Sequence, residues 1–147
     1  MRHETCYEHP AHMVSQTGIH PAVRPVLVIE DDAAVAQSIA DIVREAGFNP
    51  VTVHTLADAR PALERERPAL VVLDLTLQSE FGGDLLEELS RQPDAPAVLI
   101  VSAFHLAKIV ADLYHLPVVA KPFGVQQLIT AVEQAFAANA RPRRTGT

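Results

Sequence analysis

The chain has 147 residues, a formal net charge of −6, 48% apolar and 5% aromatic residues, and no Trp. This length favours one domain around a sizeable, mostly aliphatic core, and the acidic balance argues against a nucleic-acid surface as the main function. No run approaches the roughly 18 uninterrupted apolar residues of a membrane span. The charged, His-rich N-terminus lacks the apolar segment of a secretory signal, and the single Cys6 cannot form an internal disulfide, so a reducing cytoplasm is the expected setting.

Residues 1–24 hold four His and no hydrophobic periodicity, and read as a mobile arm. Within it His3, Cys6, His9 and His12 recur every third residue. Both types are zinc ligands, but so short a segment reads better as a His-rich arm than as a metal site. The final ARPRRTGT is polar, and Arg141, Arg143 and Arg144 read as a solubilising basic tail over 141–147.

Between these ends, over 25–140, short apolar runs alternate with helical periods. The runs are VLVIE (26–30), PVTVH (50–54), ALVVLD (69–74), PAVLIVS (96–102) and PVVA (117–120). Each is short and mostly Val-rich, as a strand buried on both faces should be. After the first run, Val35, Ile39, Ile42, Val43 and Ala46 fall on one helical face, with Gly47 as the stop. Thr55 and Asp58 resemble a capping box opening a second helix, which Pro61 is expected to kink or shorten. Gly82 and Gly83 turn the chain into a third helix marked by Leu85, Leu86 and Leu89. Residues 104–115 carry the weakest helical pattern, and Val125, Leu128, Ile129, Val132 and Phe136 the last stripe. The order is (βα)5, which implies a single α/β domain with a parallel sheet, helices on both faces and right-handed crossovers. Ligands of such sheets sit at the carboxyl ends of the strands.

Those ends are chemically unusual. The first strand runs into Glu30, Asp31 and Asp32, the third ends at Asp74, the fourth at Ser102 and the fifth at Lys121. Carboxylates brought together disfavour one another's ionised form. A hard divalent cation relieves that, and Mg2+ accepts few carboxylates while bridging to phosphate oxygens. One nucleophilic carboxylate, a hydroxyl and an ammonium complete a phosphoryl-transfer site. Asp32 directly precedes the first helix and reads better as its N-cap than as a ligand. His54, His105 and His115 form no coherent cluster.

Four stretches, VLVIEDD, VVLDLTLQSEFGGDLLEEL, VLIVSA and AKPF, occur in that order at the expected strand ends. Together they resemble the receiver domains of two-component response regulators over about Pro25 to Ala140. The resemblance implies a flavodoxin-like, doubly wound sheet of order 2-1-3-4-5. It implies that Asp74 accepts the phosphoryl group, assisted by Ser102 and Lys121. It implies Mg2+ held by Asp31 and Asp74 directly, by Glu30 through a water and by the Thr76 backbone carbonyl. A cis Lys121–Pro122 peptide is also implied. The phosphoryl donor would be a sensor histidine kinase or histidine phosphotransfer protein. The output would be a switched surface for a downstream protein, with room for a homodimer but no role for nucleic acid or membrane. Such a domain assists its own phosphorylation without being a turnover enzyme.

Several positions depart from the family pattern. The interval from Ser102 to Lys121 is short, so the fourth helix should be short or irregular. HLPVVAKPF replaces a Gly-Ala-Asp-rich turn, Val118 stands where an aromatic switch residue is common, and Gln78 where a Pro is common. Phe104, bulky and apolar, is expected to screen the phosphoryl group from water. Two alternatives follow: a degenerate receiver that binds a partner without phosphorylation, and a metal-dependent phosphatase, which would want an acid where Thr76 stands. A flavin site on this fold is a weaker option, since the acidic first loop would repel the cofactor phosphate.

Overall fold

Val26–Ile29 alternates its side chains between two apolar layers, and the rest of the fold follows from that sharing. The computed structural model describes residues 25–139. The arm expected over 1–24, with His3, Cys6, His9 and His12, lies outside the described residues, as do Ala140 and the basic tail. The elements are β1 (Val26–Ile29), α1 (Ala33–Glu45), β2 (Pro50–Val53), α2 (Leu56–Glu66), β3 (Leu70–Leu73), β4 (Thr76–Leu77), β5 (Glu80–Phe81), α3 (Gly83–Ser90), β6 (Ala97–Ser102), α4 (Ala107–Leu113), β7 (Val118–Ala120) and α5 (Val125–Asn139).

Five strands pair in parallel in the order β2-β1-β3-β6-β7. This is the expected 2-1-3-4-5 order; the short antiparallel hairpin β4–β5 merely shifts the numbering. Leu27, Ile29, Val71, Leu73, Val98 and Ile100 face one layer, where α2, α3 and α4 pack. Val26, Val28, Leu70, Val72, Leu99 and Val101 face the other, against α1 and α5. Period-2 alternation puts successive residues of one strand into different layers, which is why β1, β3 and most of β6 are apolar throughout. The edge strands differ from expectation: β2 and β7 are only partly buried, because each is flanked by a neighbour on one side alone.

Local chemistry sets the helix ends. Asp32 Oδ1 accepts from the N–H groups of Ala34 at 2.9 Å and Val35 at 3.1 Å, so it caps α1 as expected. Gly47 adopts φ +95°, and its N–H donates to Arg44 while that of Phe48 donates to Val43. These are the paired bonds of a Schellman stop, and Phe48 then stacks on Phe136 of α5 at 4.2 Å. Thr55 Oγ1 accepts from the Asp58 N–H at 3.1 Å, one half of the expected capping box. The Leu56 N–H instead donates to Glu80 of the hairpin at 3.0 Å. Pro61 does not break α2: both Pro61 and Ala57 are exposed, so the carbonyl left without a donor lies on the solvent side of the helix. Gly82 is needed for room and not for rotation; its φ is −60°, and a Cβ there would collide with the Asp74 carbonyl oxygen. The fourth helix is short, as expected, covering Ala107–Leu113.

Candidate functional site

The backbone ladder continues one residue beyond the strands and so sets the site in register. The Glu30 N–H donates to Val53, the Asp74 N–H to Ile29 and the Lys121 N–H to Ser102, each at 3.1 Å. Glu30, Asp74, Ser102 and Lys121 therefore arrive together at one sheet edge from four different strands. Lys121 follows β7 and precedes a cis peptide to Pro122, as the motif AKPF implied.

The Lys121 ammonium donates to Glu30 Oε2 at 2.7 Å and to Asp74 Oδ2 at 2.9 Å. The Ser102 hydroxyl donates to Asp74 Oδ1 at 2.9 Å, and Thr76 adds its N–H at 3.0 Å and its hydroxyl at 3.3 Å to the same oxygen. Asp31 is held from the hairpin by the Gln78 N–H at 3.0 Å. Glu30, Asp74 and Ser102 are 2%, 4% and 2% exposed, and they are the buried polar side chains among the described residues. Burial without partners would be costly, and here every one has a partner.

Titration behaviour follows from this crowding. Burial pushes the Glu30 carboxyl up to about 7 despite the Lys121 hydrogen bond, and the neighbouring Asp74 pushes it the same way. Burial also acts to raise Asp74, but the donors Lys121, Glu30, Thr76 and Ser102 outweigh it and hold its pKa below the ordinary 3.8. Burial alone would lower Lys121; its two carboxylate partners outweigh that and raise it above 10.5. A proton retained on Glu30 thus sits beside an ionised Asp74 and a charged Lys121.

The donor set fits a divalent cation. Glu30, Asp31 and Asp74 each offer a carboxylate oxygen, and these oxygens lie within 4.8 Å of one another. All are hard oxygen ligands, and once Glu30 ionises, above about pH 7, one ammonium does not balance three carboxylates. Asp32 does not join this group, because its side chain is committed to the α1 cap.

Two nearby contributors, the β4–β5 hairpin and His54, had no signal in the sequence. The β4–β5 hairpin supplies Gln78 to Asp31 and Glu80 to α2, yet TLQSEF carries no turn signature. His54, grouped with no cluster in sequence, donates Nδ1–H to the Glu30 carbonyl at 2.8 Å. Phe104 is half-buried and meets Phe81 edge to face. Val118 opens β7 and packs, partly buried, against the α2–α4 layer.

A five-stranded, doubly wound parallel sheet of this order, with acids, Ser and Lys at its carboxyl edge, defines a flavodoxin-like fold of the CheY type. The chain belongs to the response regulator receiver domain family, whose sequence profile matches residues 26–133. It is 34% identical over 139 residues to the alkaline phosphatase synthesis transcriptional regulatory protein SphR of Synechococcus elongatus, covering 80% of this chain and 51% of that protein. It is 30% identical over 118 residues to the transcriptional regulatory protein PdtaR of Mycobacterium tuberculosis, covering 76% of this chain and 56% of the other. The chain thus spans about half the length of these curated relatives. Among solved structures, a sensor protein from Polaromonas sp. JS666 superposes with a TM-score of 0.71 at 26% identity, over 80% of this chain and 99% of the other. Membership assigns the chain a phosphoacceptor role in two-component signalling. Among the described residues no helix is long and apolar enough to cross a membrane.

Proposed function

We propose that the chain receives a phosphoryl group on Asp74 from a phosphohistidine of a sensor kinase or phosphotransfer protein. An Asp74 carboxylate oxygen attacks phosphorus in line; the phosphorus–nitrogen bond breaks and its electron pair stays on the imidazole of the donor. Lys121, already hydrogen-bonded to Asp74, offsets charge on the equatorial oxygens, and Ser102 supplies a hydroxyl hydrogen bond to one of them. Asp31 and Asp74 directly, Glu30 through water and the Thr76 carbonyl would hold Mg2+, which neutralises phosphoryl charge when bound. Burial of Glu30 and Asp74 keeps these interactions strong by limiting water around them.

The observation that carries this reading is the Lys121 bridge between Glu30 and Asp74 with the Ser102 hydroxyl on the same aspartate. Without a role in charge transfer, such a buried cluster is a liability. The output is a contact surface for a downstream protein in the cytoplasm. The apolar side chains of Leu106, which precedes α4, and of Ile109 and Leu113 on it, 41%, 64% and 73% exposed, support that use. Beryllofluoride, a phosphoryl mimic, tests the site by calorimetry: it is expected to bind only with Mg2+ present and only while Asp74 is intact. Absence of Mg2+-dependent binding would favour the degenerate receiver. The phosphatase alternative finds no second acid two residues after Asp74, where Thr76 stands.

A further inference from the structure

One oxygen of Asp74 lies inside a closed circuit of contacts that no motif announces. Thr76 donates its N–H and hydroxyl to Asp74 Oδ1. Thr76 pairs across the hairpin with Phe81. The Phe81 ring meets the Phe104 ring edge to face, centroids 6.0 Å apart and planes at 72°. The Phe104 N–H donates to Ser102 Oγ at 3.2 Å, and Ser102 returns to Asp74 Oδ1 at 2.9 Å. The two residues that donate to Asp74 Oδ1 are thus each tied through the backbone to one of two rings that meet each other.

Phe81 is 42% exposed. Its ring lies over Gly83, where any Cβ would collide with it. The ring thus touches Gly83 and meets the Phe104 ring edge to face.

We propose that Phe81 and Phe104 act as one aromatic cover over Asp74, with Phe81 the positioning residue that holds the Phe104 ring in place. The inference rests on the phosphoacceptor reading of Asp74. Hydrolysis of the acyl phosphate needs a water oxygen to bond phosphorus while the bond from phosphorus to Asp74 breaks. Its electron pair returns to the carboxylate, the water proton passes to solvent, and inorganic phosphate leaves. Two apolar rings give that water neither a hydrogen-bond acceptor to orient it nor a base to take its proton. The cover slows loss of phosphate, and it works only while the rings brace each other.

The test is the half-life of the phosphorylated protein, prepared with acetyl phosphate and Mg2+, freed of donor by rapid desalting and followed by intact mass. Phe81→Ala is expected to shorten it about two- to tenfold, the scale of one aromatic pair. Phe81→Tyr, which keeps the ring, is expected to stay within about twofold of wild type. Phe81→Leu should fall between them and serves if the alanine variant does not fold. The Phe81→Ala, Phe104→Ala double variant is expected to lose phosphate no faster than Phe104→Ala alone, because the rings act as a unit. An unchanged half-life in Phe81→Ala, a tyrosine variant as fast as alanine, or a double variant equal to the product of the singles would overturn the inference. No phosphate gain even in wild type would instead remove the phosphoacceptor reading on which it stands.

Discussion

Glu30→Gln probes the electrostatic design of the site. In the folded chain burial lifts Glu30 from its ordinary 4.5 to about 7. Between those values the folded state binds a proton that the unfolded state releases, so stability falls as pH rises through the window and levels off above it. The gap corresponds to on the order of 3 kcal/mol. Asp74 and Lys121 do not share the window, since one is shifted below 3.8 and the other above 10.5. Glutamine keeps the shape of the neutral acid and cannot ionise. Near pH 5 the two proteins are expected to be similarly stable. At pH 8 with a chelator present, Glu30→Gln should be the more stable by on the order of 3 kcal/mol. The chain has no Trp, so urea unfolding is followed by far-UV circular dichroism. Adding Mg2+ at pH 8 should restore wild type, by about 2.7 kcal/mol at a hundredfold excess over Kd, and should help the variant less. Parallel pH profiles for the two proteins from pH 5 to 8 would show that Glu30 carries no retained proton, and the reasoning would fail.

Other outcomes follow from single contacts. Phe104→Glu replaces an apolar screen with a group that orients water, and dephosphorylation should quicken several-fold; an unchanged or slower rate counts against the screen. Asp32→Ala removes the α1 cap and should cost about 1 kcal/mol in denaturant unfolding. Mg2+ affinity should change less than about threefold in that variant, and a tenfold loss would place Asp32 among the ligands instead. His115 sits at φ 56° in the left-handed stop after α4. His115→Gly is therefore expected to raise stability by about 0.5–1 kcal/mol, and a loss would mean the imidazole makes a contact that matters more. Leu99→Ala, in the fully buried centre of β6, should cost about 2–5 kcal/mol.

The sheet was legible in sequence because its signals are local and strong. Val-rich runs such as LVVL and VLIV fit only a doubly covered strand, and the Asp32 cap and Gly47 stop each follow from one residue's chemistry. The acid, Ser and Lys set was legible because strand ends in such a sheet share an edge. Contacts made at a distance were not. Glu80 caps α2 from 24 residues away, and His54 reaches the Glu30 carbonyl through the β1–β2 register; neither has a periodic signature. The hairpin that carries Gln78 to Asp31 lacks the Gly or Asn of a tight two-residue turn, so TLQSEF reads as plain loop. Pro61 is a different case. The local rule leads one to expect a kinked or shortened helix, and the helix runs unbroken through Pro61 for 11 residues.

The phosphoacceptor role requires that Asp74 become an acyl phosphate. Intact mass spectrometry after incubation with acetyl phosphate and Mg2+ tests that directly, with wild type beside Asp74→Ala. Wild type should gain the mass of one phosphate, and the alanine variant none. An equal gain in both, or no gain in wild type, would contradict a phosphoacceptor role for Asp74.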